Sequence, residues 1–298
     1  MEPHTISTAA ETGSKLLEGL TKVSGIIFNR ETPKKLALQS FIHNVENSDL
    51  QPLEKAAIIS NSNRIIKEYC NQYNVVEIAL QKLSPTAKPE EVEEDWLASF
   101  MNDIRTVSDE EFQTMWAMIL AEECENPGSI SRQLLTILSQ MGRKEAEVFS
   151  KLCRFCVQIG DSEDKVPVIP LFLIDDYIPR FGITYDDLIS LQTLGLVLVK
   201  DDTLIQTHAL RLDPGSKVHY GDAEYIQPEG EKVLHIGSVL LTNCGVQLTR
   251  IVDAEPVDSY FERVIYPFFE SGRKAKGVSI ERISKTIRQG LGLPEECI

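Results

Sequence analysis

The sequence predicts a mainly α-helical protein, with an N-terminal helical bundle followed by a winged-helix-like α+β domain. Apolar residues recur every three or four positions over most of residues 14–158, as they do in helices that pack on one another. After a polar break at 160–165, short β-branched runs separated by glycines replace that periodicity. Residues 183–199 then read as a helix, a glycine and an apolar strand, the order in which a winged helix enters its wing.

These patterns predict three segments in a chain of 298 residues, which is long enough for two compact domains. Residues 1–159 form the helical domain, with 1–13 expected to be mobile. Residues 160–258 form the winged-helix-like domain, and 259–298 hold a C-terminal helix and a basic tail.

The first helices are predicted from apolar stripes and prolines. A helix from Ser14 carries a stripe made of Leu16, Leu17, Leu20, Val23 and Ile27. Its polar face is not strongly cationic, which favours packing on the protein or on a second copy over binding to a membrane surface. A long helix follows from Pro52 to Leu83, and another begins near Pro89.

Three consecutive helices are predicted between Val107 and Cys156. Ser108 and Glu111 have the spacing of a capping box at the first of them. Pro127 and Gly128 end that helix, since proline cannot continue it and glycine accepts a left-handed exit. Ser129 or Ser131 caps the second helix, and Gly142 separates it from the third. The predicted structural anchors of this region are Trp96, Trp116, Pro127 and Gly128.

Strands are predicted in the second half. Prolines at 167 and 170 confine the run 166–174 to a sheet edge. The runs 196–199 and 204–207 are predicted to form a hairpin turned at Asp201 and Asp202. Further strand-like runs lie at 225–226, 233–236 and 239–242, before a helix that begins near Tyr260.

Composition limits the function. A net charge of −15 argues against a general nucleic-acid binder. Six scattered cysteines without a secretory signal indicate a reduced cytoplasm, and no apolar run approaches the roughly 20 residues of a membrane-spanning helix. We therefore expect a soluble cytoplasmic protein without a transmembrane segment.

Chemistry-bearing motifs are few. Cys153 and Cys156 form a CxxC, but no second CxxC or close histidine pair completes a zinc site, so we expect buried thiols, with a redox or metal role as the alternative. Glu122 is the candidate catalytic residue beside Glu123 and Glu125; no partnered histidine, nucleophile or phosphate loop accompanies it. The alternative for Glu122 is a hydrogen bond at the helix end or a salt bridge to a neighbouring helix. No metal or cofactor is predicted.

A basic tail is the candidate binding segment. Its bases are Arg273, Lys274, Lys276, Arg282, Lys285 and Arg288. They could bind nucleic acid, an anionic surface or an acidic partner, or neutralise the acidic surface of the chain itself. The winged-helix-like domain is acidic, with Asp186 and Asp187 on its candidate recognition helix, which favours protein docking over DNA binding.

Several motifs carry a family resemblance over roughly residues 50–270. They are Asn61, Asn63-Arg64-Ile65-Ile66, Asp95-Trp96, Ser108-Asp109-Glu110, Gln113, Trp116-Ala117, Leu120-Ala121-Glu122, Pro127-Gly128-Ser129, Leu241-Thr242, Gly245 and Leu248. The chain resembles an uncharacterised bacterial family, domain of unknown function 2806, and is distantly similar to abortive-infection proteins of the alpha type. Arg132-Gln133 and the tail after Ser271 depart from the family pattern.

The sequence therefore leads to three functional expectations. The first is a non-enzymatic bacterial interaction or scaffold protein that self-associates or binds a partner protein; the resemblance adds a role in phage defence. The second is a nucleic-acid-binding regulator that uses the basic tail. The third is a hydrolase or nuclease centred on Glu122.

Overall fold

Helices make up most of the regular structure, and the remainder is a small antiparallel sheet region. This computed structural model describes residues 3–26, 34–160, 166–169, 182–199, 208–228, 230, 232–236, 239–257, 260, 261, 265 and 269. The mainly helical prediction is confirmed. Contacts divide the chain into two compact units, Met1–Ser139 and Gln140–Ile298. The sequence places the division at 159/160 instead, and those domain boundaries stay a prediction.

The first unit consists of helices joined by short turns. They are α1 (Pro3–Ser24), α2 (Lys34–Glu46), α3 (Pro52–Lys82), a 3-10 turn (Pro89–Glu91), α4 (Glu94–Ile104), α5 (Glu110–Glu125) and α6 (Arg132–Gln140). Helix α3 packs on α2, α4 and α5, while α1 packs on α4 and the 3-10 turn. Salt bridges join Lys15 to Glu90, at 3.0 Å, and Lys22 to Glu94 on the outside of the α1 contact.

The core of this unit is built from the apolar stripes of α1, α4 and α5. Its fully buried side chains include Leu16, Leu20, Phe100, Ile104, Trp116 and Ile119. Trp96 stacks on Phe100 with ring centroids 5.2 Å apart, and Trp116 meets the same ring edge-on at 5.6 Å. Two tryptophans around one phenylalanine bury a large apolar area at the centre of the unit.

Three local expectations for this unit differ from the structure. Helix α1 begins at Pro3, well before the predicted Ser14. Helix α2 was not predicted, although Leu38, Phe41, Ile42 and Val45 have the i, i+3, i+4, i+7 spacing of a helical stripe. The cap of α5 is Asp109, whose carboxylate accepts from the N–H groups of Glu111 and Phe112 at 3.0 and 3.2 Å, so the predicted Ser108 cap is wrong by one residue. Both residues are good caps, and only backbone geometry chooses between them.

The second unit mixes helices and short strands. Its elements are α7 (Arg143–Cys153), β1 (Val157–Ile159), β2 (Val166–Val168), α8 (Tyr185–Leu194), β3 (Val197–Val199), β4 (His208–Leu212), β5 (Lys217–Tyr220), β6 (Ala223–Ile226), β7 (Lys232–Ile236), β8 (Val239–Leu241) and α9 (Asn243–Thr249). Four strands form an antiparallel sheet in the order β2-β1-β5-β6. The proline-containing β2 lies at its edge, as proline requires.

The strands from β3 to β8 pair in a nested order. Strand β3 pairs with β8, β4 with β7, and β5 with β6, all antiparallel. The partner of Val197 is thus Leu241, and the predicted partner run 204–207 lies outside the described residues. Apolar alternation cannot reveal a partner more than 40 residues away, because neighbouring and distant strands carry the same pattern.

The ends of α8 and the buried residues near the C-terminus complete the description of the second unit. Thr184 and Asp187 form a capping box at α8, and Gly195, in the left-handed conformation with φ 84°, ends that helix before β3. Near the C-terminus, Ile265 and Phe269 are fully buried, and Tyr260 meets Phe155 edge-on at 5.3 Å. Most other residues of the predicted C-terminal helix lie outside the described residues.

Candidate functional site

One face of α3 is buried over the second half of the helix and exposed over the first half. The buried part is formed by Asn71, Gln72, Val75, Val76 and Ala79, on the side where α3 packs on α5. Seven-residue steps from Gln72 lead back along the same face to Ile65 and Ile58. These two side chains are 51% and 36% exposed. The face that builds the core therefore continues uncovered toward the N-terminal end of α3.

Three more exposed apolar side chains lie on α2, in the α2–α3 loop and in the first turn of α3. Leu53, in the first turn of α3, is 82% exposed, and Phe41 on α2 and Leu50 in the α2–α3 loop are also exposed. We call the five residues Phe41, Leu50, Leu53, Ile58 and Ile65 the α2–α3 surface. Exposed large apolar residues grouped in one region, as opposed to scattered singly, mark interaction sites.

The charges beside the α2–α3 surface are nearly balanced. Residues 51–70 hold three basic and two acidic side chains in a chain of net charge −15. Arg64 is paired with Glu68 at 2.8 Å and bonded to the Asn61 side chain at 2.9 Å, so its charge is already engaged within α3. Lys55 donates to the Glu46 carbonyl at 2.8 Å. This surface is suited to contact with protein more than to contact with a strongly charged ligand.

A second group, the acidic end of α5, holds the candidate catalytic residue. The buried carboxylate here is Glu123, which accepts from the N–H groups of Gly128 and Ile130 at 2.7 and 2.8 Å. Burial raises the pKa of the Glu123 carboxyl, and the two backbone hydrogen bonds act in the opposite direction. Glu123 therefore holds the α5–α6 turn in place.

The neighbouring carboxylates also bind the protein itself. Glu122 is half-buried and accepts from the Asn126 side chain at 3.1 Å. Glu125 accepts from the backbone N–H and the hydroxyl of Ser84, both at 2.7 Å, which ties the end of α3 to the end of α5. Across the described ranges, no cluster of three or more acidic, histidine or cysteine side chains has the arrangement of a metal site. These carboxylates therefore stabilise helix ends and turns by accepting hydrogen bonds.

The predicted anchors lie beside the same turn. The indole N–H of Trp96 donates to the Ile130 carbonyl at 2.8 Å, while Trp116 is completely buried. Gly128 follows Pro127 and has φ +83°, a conformation that favours glycine. The Pro127-Gly128 turn thus presents two N–H groups to Glu123 and one carbonyl to Trp96.

In the candidate recognition helix, α8, one of the two aspartates stabilises the start of the helix. Asp187 is buried, accepts from the N–H and hydroxyl of Thr184 at 2.9 and 2.7 Å, and pairs with Lys144 of α7 at 2.7 Å. The Lys144 ammonium and the Thr184 bonds lower the pKa of Asp187 to about 2. Asp186, next to it, is exposed.

The predicted binding segment cannot be compared with these groups. Its six basic residues, Arg273, Lys274, Lys276, Arg282, Lys285 and Arg288, lie outside the described residues. Sequence reasoning selected Glu122 and passed over Glu123. The signal was present, since Glu123 follows Trp116 by seven positions and so lies on the apolar face of α5.

Comparison with known proteins identifies a family but no activity. No curated protein and no solved structure matches the chain. Among the described helices, none is long and apolar enough to cross a membrane. The profile of one family, described as a protein of unknown function (DUF2806), matches residues 61–265, about two thirds of the chain. The protein therefore belongs to the DUF2806 family.

Proposed function

We propose that this protein is a non-enzymatic interaction protein and that it self-associates through the α2–α3 surface. The observation that supports this is the continuation of a core-forming face of α3 into an exposed one. A helix that presents Ile58 and Ile65 seven residues apart is suited to packing against another helix. The other polar groups described above, such as Glu123 and Glu125, are used to fasten helix ends.

A second copy of the chain is the partner that the charges favour. Two chains of net charge −15 repel each other over most of their surface. Around the α2–α3 surface both signs are present and nearly balanced, so two copies can approach there without a large electrostatic cost. Burying Leu53 and Ile65 would contribute about 1.5–3 kcal/mol per side chain when fully buried.

The test is the mass in solution of two variants and a control. Ile65→Asp and Leu53→Asp place charges on the α2–α3 surface without touching the buried half of α3. Asn63→Asp adds the same charge on the side of the helix opposite Ile65 and serves as the control. By sedimentation velocity, the wild type and Asn63→Asp should form dimers or larger species, and the two surface variants should be monomers with unchanged circular dichroism. A monomeric wild type would contradict the proposal.

We also propose a cytoplasmic role in phage defence, on the basis of the distant similarity to abortive-infection proteins. Cells that carry the gene should survive phage challenge better than cells that lack it. The Ile65→Asp variant should lose protection if self-association is needed, whereas Asn63→Asp should keep it. Equal survival with and without the gene would remove this role.

A nucleic-acid-binding regulator is the second candidate, supported by the six basic residues after Ser271 and by the winged-helix-like order of α8, β3 and β8. Deletion of residues 272–298 should then abolish salt-dependent DNA binding. Lack of DNA binding by the full chain at low salt would end this candidate. The hydrolase or nuclease candidate is tested by Glu122→Gln, which must fold and yet lose the biological activity.

A further inference from the structure

The CxxC motif lies where α7 ends and the chain turns into β1. Cys153 is the last residue of α7, and the N–H of Cys156 donates to the Cys153 carbonyl at 3.0 Å. A hydrogen bond of this kind closes a four-residue turn and brings its first and last Cα atoms within about 7 Å. Disulfides join Cα atoms roughly 4.4–6.8 Å apart. The backbone therefore already holds the two cysteines at disulfide distance.

The two side chains differ in exposure, and the nearby Cys156 thiol raises the pKa of Cys153. Cys153 is buried, while Cys156 is half-exposed at the surface of the turn. One thiol can thus meet a reagent from solution, and the other lies against it, inaccessible to that reagent. This is the arrangement of an attacking and a resolving cysteine.

We propose that Cys153 and Cys156 form a reversible disulfide, with a low-molecular-weight disulfide such as oxidised glutathione as the oxidant. The Cys156 thiolate attacks one glutathione sulfur, forms a mixed disulfide and releases one glutathione thiol. Cys153 then loses its proton and attacks the Cys156 sulfur, which releases the second glutathione. Two electrons pass from the protein thiols to the oxidant, and their two protons end on two molecules of reduced glutathione.

The position of the motif makes this a site of modification and not an oxidoreductase centre. The carbonyl end of a helix carries partial negative charge, which disfavours a thiolate beside it. The neighbouring Cys156 and burial both raise the pKa of Cys153, which acts in the same direction. Strongly oxidising CxxC centres depend on a stabilised reduced thiolate, which this helix end does not provide. The disulfide, once formed, should therefore be a weak oxidant.

The turn that the disulfide would close is tied to other segments of the second unit. Between the cysteines, the Arg154 side chain donates to the Glu255 carbonyl at 3.0 Å, and its own carbonyl accepts from the Tyr220 hydroxyl at 2.7 Å. The same hydroxyl accepts from the Val257 N–H at 2.7 Å. Oxidation would hold Arg154 in place and slow amide exchange across residues 154–159.

The test uses the full chain in mixtures of reduced and oxidised glutathione, followed by alkylation, trypsin and mass spectrometry. Trypsin cleaves after Lys151, Arg154 and Lys165, so the disulfide would leave Leu152–Arg154 linked to Phe155–Lys165. We expect this linked pair in the wild type and its disappearance with dithiothreitol. Cys153→Ser should instead retain glutathione on Cys156.

Cys70, another half-exposed cysteine, provides the control, because Cys70→Ser should leave the linked pair unchanged. The proposal is overturned if the wild type carries separate glutathione adducts on Cys153 and Cys156, or if both thiols stay reduced while Cys70 reacts. Circular dichroism of each variant separates loss of the reaction from loss of folding.

Discussion

The adjacent residues Glu122 and Glu123 differ in whether their carboxylates stabilise the fold. Glu122 and Glu123 are adjacent and chemically identical, but only Glu123 points at the N–H groups of the α5–α6 turn. The sequence marks Glu123 through its position on the apolar face of α5. It does not reveal the turn N–H groups, which come together only when Gly128 takes its positive φ. Predicting a buried carboxylate was within reach of the sequence, and predicting its partners was not.

Glu123→Gln should lower the free energy of unfolding by about 1–3 kcal/mol, because the amide N–H₂ replaces one acceptor and leaves a backbone N–H unpaired. Glu122→Gln is the matched control and should change stability by about 0.5 kcal/mol or less. Urea denaturation of both variants measures the difference. Equal losses would show that Glu123 does not hold the turn.

Asp187 should make the second unit sensitive to acid. Its pKa of about 2 in the folded protein lies below the roughly 3.9 of an unfolded aspartate. The folded state therefore binds that proton less readily, so the stability gained from Asp187 is present above pH 4 and is lost as the pH falls toward 2.

Asp187→Asn should cost about 1 kcal/mol at pH 7, the usual effect of a lost helix cap, and much less at pH 2. Asp186→Asn, at the exposed neighbouring position, should change little at either pH. Urea denaturation of the second unit at several pH values provides the measurement. If the free energy lost in Asp187→Asn did not vary with pH, protonation of Asp187 would not be the cause of the acid sensitivity.

At the scale of elements, the sequence predicts long, strongly periodic helices best. Helix α3 was predicted as Pro52–Leu83 and runs from Pro52 to Lys82. Its stripe could not show that only the second half is covered, because a stripe records which side is apolar and not how far a neighbouring helix reaches. Helix α2 was missed although its stripe was visible, whereas the pairing of β3 with β8 could not be predicted, because long-range pairings leave little local signal.

Helix α9 should tolerate no side chain at Gly245. A Cβ built there would lie 2.1 Å from the Leu196 carbonyl oxygen at the start of β3, far inside van der Waals contact. Gly245→Ala should therefore cost about 3 kcal/mol, at the upper end of overpacking effects, by forcing α9 away from β3. Val246→Ala, one residue on and half-exposed, should cost about 1 kcal/mol. Thermal unfolding compares the two, and equal midpoints would refute the close contact.

For the whole molecule, the net charge of −15 decides how association responds to salt. Repulsion between copies is long-range at low ionic strength, where the Debye length is about 30 Å at 0.01 M, and weak at 0.5 M. Self-association through the α2–α3 surface should therefore tighten as salt rises. Binding of nucleic acid by the basic tail should weaken over the same range, because releasing counterions into a more concentrated salt solution gains less entropy. Sedimentation and DNA-binding titrations across salt concentrations thus separate the two functions.

The nested strands have a consequence for the order in which the protein is made. The partner of Val197 is Leu241, so β3 leaves the ribosome well before its partner and has to wait unpaired. The first unit ends at Ser139 and is compact by itself, so it can bury its core during that interval. Translation pauses after residue 199 should then favour aggregation through an open strand edge, and chaperones would be needed most at that stage.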